Sequence, residues 1–392
     1  MPCSAPALPR VQGLLKGPTL GIKWIYRMQE PPVQDTDARL FSRATLVERA
    51  RKEAGIGGMV GDLAAAIIST EPDHFRDAVS ELLATTGYTC DDGWSDAERV
   101  GAAVLRRPGS ADLVLQSRRT PHPVLPALPT APPAGALPST RLETLVFSAR
   151  DLEELVAIQG LRGVRFLPPG ILSTERYRFI QTLPSAFTGN SLGYLEWEPG
   201  ADHRYRPDGA KDTPGLPSKP NLPFLHRIGA LDHAATRVRA GDREQAVLEF
   251  LSLTGYHLQF AIPVRDQNSV TTVTKRSKED FAMVFTSGIM PFVDEATSGP
   301  TERFIHRYGP RVHHLAFRTE AIEATIASLE RGGLEFLDGL VGSPEEGLHQ
   351  IFTRPSPHTM LVTEYIHRYG DSDGFFTESN VSRLTAATAR QD

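Results

Sequence analysis

ELLATTGY (residues 81–88) and EFLSLTGY (residues 249–256) are two versions of one segment, 168 positions apart. A second pair, LETLVFSARDLEELV (142–156) and VHHLAFRTEAIEATI (312–326), aligns at an offset of 170 when Phe147 is set on Phe317. Two matches at nearly one offset argue for a duplicated domain. The patterns around them say what was duplicated. DLAAAIIST, from Asp62, reads as a buried strand, and HFRDAVSELLATTGY as an amphipathic helix with Phe75, Val79, Leu82 and Leu83 at helical spacing and Gly87 as its stop. VGAAVLRR (100–107) and ADLVLQSR (111–118) follow as strands. RLETLVFSARDLEELVAI, from Arg141, is a strand running into a helix, and LGYLEWE (192–198) a closing strand.

The second half repeats the plan. LDHAATRV (231–238) is a strand, and REQAVLEFLSLTGY (243–256) a helix with Val247, Phe250, Leu251 and Thr254 on one face. SVTTVTKR and DFAMVFTS are strands, VHHLAFRT (312–319) another, and AIEATIASLERGG a helix ending at Gly332 and Gly333 before two last strands. The expected class is α+β, with four β-α-β-β-β modules, two to each half. TPHPVLPALPTAPPAGALPST (120–140) is a Pro-rich linker, and a second Pro-rich stretch carries Pro207, Pro214, Pro217, Pro220 and Pro223. The expected boundaries are an extension over 1–58, a first domain over 59–200, a linker over 201–227 and a second domain over 228–392. Within the extension, Gly21–Met28 reads as a strand and Thr45–Ala54 as a short helix.

Composition narrows the class of function. The 392 residues are 40% apolar and 23% charged with net charge −5, and no long basic run supports a nucleic-acid or membrane-surface role. Cys3 and Cys90 make no disulfide framework and fit a reducing cytoplasm. No run of about 18 apolar residues exists for a membrane span, and MPCSAPALPRVQG lacks the apolar core of a signal peptide. A cytoplasmic protein with a small-molecule ligand is the expectation.

The duplication makes three residues conspicuous. At the repeat offset His233 faces Ala65 and His314 faces Thr144, so the second half carries metal-capable groups where the first does not. In LHQIFTRPSPHTMLVTEYIHR (348–368) alternation puts Val362, Glu364 and Ile366 on one strand face, and a carboxylate among apolar neighbours is costly without a partner. Each histidine alone reads as a core residue and the glutamate alone as an edge residue. Together they are a His, His, Glu set on three strands. Two imidazoles and one carboxylate leave metal positions open for substrate and dioxygen, as in non-haem Fe(II) oxygenases, and zinc accepts the same ligands.

At these residues the second half, over about 228 to 382, resembles the catalytic domain of 4-hydroxyphenylpyruvate dioxygenase in the vicinal oxygen chelate superfamily. The likeness rests on LDHAATRV, on VHHLAF beside the family's VQHIA, on LHQIFTRP beside LLQIFT, and on TEYIHRYGDSDGFF beside FEIIQR and its GFG ending. It implies two tandem domains of this type, each of two modules forming an open barrel-like sheet. It also implies Fe(II) held by His233, His314 and Glu364, with Gln350 beside the reacting substrate. Thr272, Thr286, Phe375, Phe376 and Asn380 are the implied substrate contacts, the last three near a closing C-terminal helix. The implied reaction is oxidative decarboxylation plus hydroxylation of a 2-oxo acid by O2, with CO2 released and no 2-oxoglutarate. Ring cleavage of the extradiol type, a hydroxymandelate-synthase-like outcome and a non-catalytic small-molecule binder of the same fold stand as alternatives. Homo-oligomerisation is left open.

The departures bear on substrate. Phe285, Thr286, Ser287 and Gly288 stand where the family has Asn-Glu-Pro, GPTERFIHRYG stands for its Ser-Gln-Ile segment, and Thr272 for its pocket serine. A buried polar site without its partners rejects the ligand that needs them, so 4-hydroxyphenylpyruvate itself is not the expected substrate. His306, His313 and His367 are read as surface or flanking residues, with His313 pointing away from the metal. Asp202 and His203 are read as linker, and Glu196, near the first-half counterpart of Glu364, as structural.

Overall fold

The computed structural model describes residues 36–120, 122, 137–370 and 378–388. The expected strand over 21–28 lies outside them. Helix α1 (Thr36–Glu53) opens the described chain and starts nine residues before the helix read from sequence. Four strand-helix-three-strand modules follow. The first is β1 (Val60–Ser69), α2 (Phe75–Thr85), β2 (Thr89–Ser95), β3 (Arg99–Arg106) and β4 (Asp112–Arg118). The second is β5 (Arg141–Ala149), α3 (Leu152–Leu161), β6 (Leu172–Ser173), β7 (Tyr177–Gln181) and β8 (Ser191–Trp197), followed by a short β9 (Lys211–Asp212). The third is β10 (Ile228–Arg237), α4 (Arg243–Leu253), β11 (His257–Val264), β12 (Ser269–Lys275) and β13 (Ala282–Ser287). After α5 (Pro300–Tyr308) comes the fourth: β14 (Arg311–Thr319), α6 (Ile322–Arg331), β15 (Val341–Ser343), β16 (Leu348–Phe352) and β17 (Val362–Arg368), with α7 (Glu378–Thr388) last.

These strands make two mixed sheets, β6-β7-β8-β5-β1-β4-β3-β2-β9 and β11-β12-β13-β10-β14-β17-β16-β15. In every module the first strand lies parallel to the last, as β1 to β4 and β10 to β13, because the helix carries the chain back to the starting edge. Modules join through antiparallel first strands, β1 to β5 and β10 to β14. The fold is α+β, as the repeat pattern implies.

One face of each sheet packs on helices in a shared core, where Leu82, Leu83, Val247, Phe250 and Leu251 are nearly all sealed from water. Burying each such side chain contributes about 1.5–3 kcal/mol. The halves interlock in this core. Tyr365 on β17 donates its hydroxyl to the Thr85 carbonyl closing α2, and Tyr194 on β8 does the same for Leu253 closing α4, both at 2.8 Å. Each thereby satisfies a helix-terminal carbonyl that the helix itself cannot.

The other faces differ. In the first sheet Trp94, Tyr177, Leu195 and Val146 fill it, with Phe179, Trp197 and Tyr205 packed on them. In the second the corresponding face carries Ala235, Val273, Ala282 and Val284, and Leu384 of α7 packs there against Phe352 and Val362. Small side chains leave space above the second sheet that large ones remove above the first.

Candidate metal centre

The ligand-bearing strands β10, β14 and β17 are neighbours in the middle of the second sheet. His233 pairs with Ala316, and Ala316 with Glu364, so the two polar residues stand in one row with a methyl group between them. Strands about 4.8 Å apart put their Cα atoms roughly 10 Å from each other, and the side chains converge over Ala316. His314, two residues along β14 from Ala316, completes the triangle. All three offer ligand atoms within 4.8 Å of one another. Glu364 Oε2 lies 3.1 Å from His233 Nε2 and 3.3 Å from His314 Nε2. Ligands at about 2.1 Å from one metal ion stand roughly 3.0–3.4 Å apart, whether octahedral or tetrahedral. The set therefore fits a divalent cation. Among the described residues Glu364 Oε1, in a residue only 1% exposed, has no hydrogen-bond partner, which a lone-pair acceptor such as a cation would supply.

Charge behind the site fixes its protonation. Asp232 Oδ1 accepts from His233 Nδ1 at 2.9 Å, turning Nε2 toward Glu364. Arg368 and Arg318 donate to the same buried carboxylate. Burial pushes the Asp232 carboxyl up, but the His233 hydrogen bond and Arg368 outweigh it and hold it well below the usual range. Burial likewise pushes His233 down, and Glu364 and Asp232 overcome it to raise the imidazole to about 9. Without metal His233 is the cation between two carboxylates. His314 goes the other way: burial, then His313, His233 and Arg237, keep it neutral, the form a metal takes.

Two bulges build this arrangement, and alternation alone misses both. The β10–β14 register slips between Leu231 and His233, where Asp232 is the extra residue and its carboxylate swings back to its own neighbour's ring. It slips again opposite Ala235 and Thr236, where His313 is extra. His313 consequently does not point away: it is buried, its Nδ1 lies 2.9 Å from His314 Nδ1, and it lines the same cavity.

The other expected residues divide. Thr286 lines the cavity. Thr272 does not: it pairs with Phe285, whose ring packs on Phe250, and its hydroxyl accepts from Arg243 of α4 at 3.3 Å, so it faces the helix layer. Its neighbour Thr271, paired with Thr286, holds the cavity position. Gln350 shares the sheet face of Phe352 and Glu364 without lining the cavity itself, is 0% exposed, and neither amide atom has a hydrogen-bond partner among the described residues. Phe375 and Phe376 lie outside the described residues, as does the side chain of Asn380 on α7. Asp232, Arg237, Thr271 and Thr301 escaped the sequence reading; only the Asp-His pair in LDHAATRV carried a signal.

The first sheet cannot do the same. Register places Ala65, Thr144 and Gly193 at the positions of His233, His314 and Glu364. A Cβ on Gly193 would come within 2.9 Å of Phe179 and 3.1 Å of Val146, so no carboxylate fits. Glu196 is three residues past the equivalent position and caps α3 by accepting from the Asp151 and Leu152 amides.

No protein-family profile and no curated protein matches this chain. Solved structures do. A triple mutant of 4-hydroxymandelate synthase from Streptomyces coelicolor superposes with TM-score 0.62 at 21% identity, over 85% of this chain and 99% of that one. A fusion of a xylose isomerase-like TIM barrel with 4-hydroxyphenylpyruvate dioxygenase gives 0.60 at 15% identity, over 90% of this chain and 58% of that one. The chain has the tandem vicinal oxygen chelate fold, in agreement with the resemblance read from its sequence. Among the described residues no helix is long and apolar enough to cross a membrane.

Proposed function

We propose that this chain is a non-haem Fe(II)-dependent dioxygenase that oxidises a small aromatic or 2-oxo acid substrate with O2, other than 4-hydroxyphenylpyruvate. The observation that carries the reading is the buried His233, His314 and Glu364 set with its orphaned carboxylate oxygen. Its fold neighbours include a hydroxymandelate synthase, which supports the same class. Residues 228–392 form the working domain in this reading and 59–200 a degenerate partner. The protein works in the cytoplasm, where the thiols of Cys3 and Cys90 persist.

Bound at this set, Fe(II) supplies a place where a chelating substrate and O2 meet. The chain's own residues do the rest. His233 and His314 present Nε2 lone pairs, Asp232 holds His233 in the required tautomer, and Glu364 contributes the single negative charge. Val381 and Leu384 of α7 close the cavity against water, and Gln350, buried beside the cavity on the sheet face of Phe352 and Glu364, is the amide a substrate oxygen would reach once α7 yields. The cavity holds about 50 Å³, room for a few waters, so an aromatic ligand enters only if α7 yields.

Anaerobic loading with Fe(II), followed by metal analysis, tests the class: one iron per chain is expected, and none in His314→Ala. Absence of iron from the unaltered protein sinks the oxygenase reading. Oxygen uptake with aryl 2-oxo acids and catechols then selects the substrate, and CO2 release separates oxidative decarboxylation from ring cleavage.

A further inference from the structure

Arg141 and Arg311 open β5 and β14, and the duplication makes them one residue seen twice, 170 positions apart. They meet where the halves join. Arg141 Nη2 donates to the Pro310 carbonyl at 3.2 Å, and Arg311 Nη1 donates to the Thr140 carbonyl at 3.5 Å. Each carbonyl belongs to the residue just before the other arginine, the reciprocity of an approximate two-fold axis. Both residues are 2% exposed, and among the described residues Arg141 Nε, Arg141 Nη1 and Arg311 Nε have no acceptor. Arg311 Nη1 also touches the Met360 sulfur at 3.4 Å, a weak and neutral acceptor.

Two guanidiniums sealed side by side need a counter-charge, because ions taken out of water without one are costly. Burial, then the charge of Arg311, push Arg141 down to about 9, and burial pushes Arg311 down to about 10, so both stay cations at pH 7. The carboxylate acting on Arg141 is Glu143, and it is already taken. Arg118 donates to both its oxygens, at 2.6 and 3.3 Å, and Ser69 and Gln116 donate to one of them. His122, 4.0 Å from Glu143, only adds to the excess when protonated. Glu71, beside Thr140, is held by the Ser139 amide at 2.7 Å. Tyr308 acts on Arg311 through a hydroxyl rather than a carboxylate. The chain leading into either arginine supplies nothing, since residues 120–140 and 303–310 contain no Asp or Glu. Arg118, Arg141 and Arg311 therefore share Glu143, and two positive charges are left over.

We infer that Arg141 and Arg311 hold a small anion of halide size between them, a site that fastens the first half to the second and makes no use of the metal reading. Such an ion accepts from the unpartnered Nε and Nη1 donors and removes part of the excess charge. The test uses the full chain, freed of metal, at pH 7 in sodium gluconate, whose anion is too bulky for a sealed site. Chloride then replaces gluconate at constant ionic strength while Tm is followed. A saturable rise is expected, reaching about 3 °C when chloride stands at 100 times its Kd. Arg141→Gln removes half of the clamp from the half that carries no metal ligand. Losing one partner of a buried charge pair weakens binding by about 30-fold or more. At the same chloride concentration that variant should gain about 1 °C or less, and Arg141→Lys, which keeps the charge, should gain more than Arg141→Gln. Crystals soaked in bromide locate the ion by anomalous scattering, with a peak expected in contact with both guanidiniums.

No saturable rise in the unaltered protein, or a rise that Arg141→Gln keeps in full, overturns the inference. A bromide peak found only elsewhere in the molecule overturns it as well. Should Arg141→Gln fail to fold, the position of the bromide peak in the unaltered protein decides.

Discussion

Asp232→Asn isolates the part of the centre that touches no substrate. The change keeps shape but removes the carboxylate that accepts from His233 Nδ1 and from Arg368 and Arg318. The imidazole is then no longer held with Nε2 as the lone-pair nitrogen. Loss of such a partner behind a ligating histidine costs 10- to 100-fold in metal affinity, or about 1.4–2.8 kcal/mol. Thermal denaturation reads this directly with Co(II), which resists oxidation. At a Co(II) concentration 100 times Kd, binding stabilises the unaltered protein by about 2.7 kcal/mol. With an unfolding entropy of about 2.1 cal/mol/K per residue, that raises Tm by about 3 °C in a chain this long. At the same Co(II) concentration the variant should gain only about 0.5–2 °C. An equal gain in both proteins would refute the role given to Asp232. No gain in either would refute the metal centre itself.

Three further outcomes follow from buried groups. Glu249, on α4, bonds Ser185 of the other half, and burial raises its carboxyl above the usual value despite that bond. A carboxyl raised by folding stabilises the protein below its unfolded pKa and loses that contribution as pH rises through the folded value. Glu249→Gln should therefore raise Tm at pH 7 and leave it unchanged near pH 3.5; a fall at pH 7 counts against the reading. Gln350→Leu removes an amide without partners and should raise the stability of metal-free protein by about 1 kcal/mol while weakening phenylpyruvate binding to the Fe(II) form, which denaturant melts and titration check together. Leu384→Ala should cost about 2 kcal/mol and speed the entry of aromatic chelators, as stopped-flow mixing would show; unchanged entry would mean α7 is not the barrier.

The sequence made the fold legible because duplication doubles every weak signal. Four modules, the offset that sets His233 against Ala65, and the helices carrying Leu82 and Phe250 were readable from spacing alone. The site was legible only to the level of its strands. Alternation assigns faces by counting in twos, and an extra residue in one strand resets the count. The bulges at Asp232 and His313 do that at the centre, so alternation gives Asp232 no role and puts His313 on the wrong side. Thr272 failed by a single position for a related reason: in TT both residues are alike, and only the partner Phe285 shows which one faces α4. Arg237 gave no local signal, because an arginine ending a strand looks like any exposed one until the cavity is seen.

The exchange of Tyr194 and Tyr365 between the halves has a consequence for how the chain can be cut. Each hydroxyl finds its acceptor only on a helix that belongs to the opposite half, and Tyr88 against Phe317 and Tyr256 against Phe147 repeat the trade in the core. A nick in the proline-rich stretch near residue 215 would sever the peptide and leave these bonds in place. Two fragments made separately should each be incomplete, baring the aromatic surface the other covers, and should regain one metal-binding particle when mixed. In folding terms the protein is a pair of unequal subunits that happen to share a backbone, one keeping the metal ligands and the other holding the shape around them.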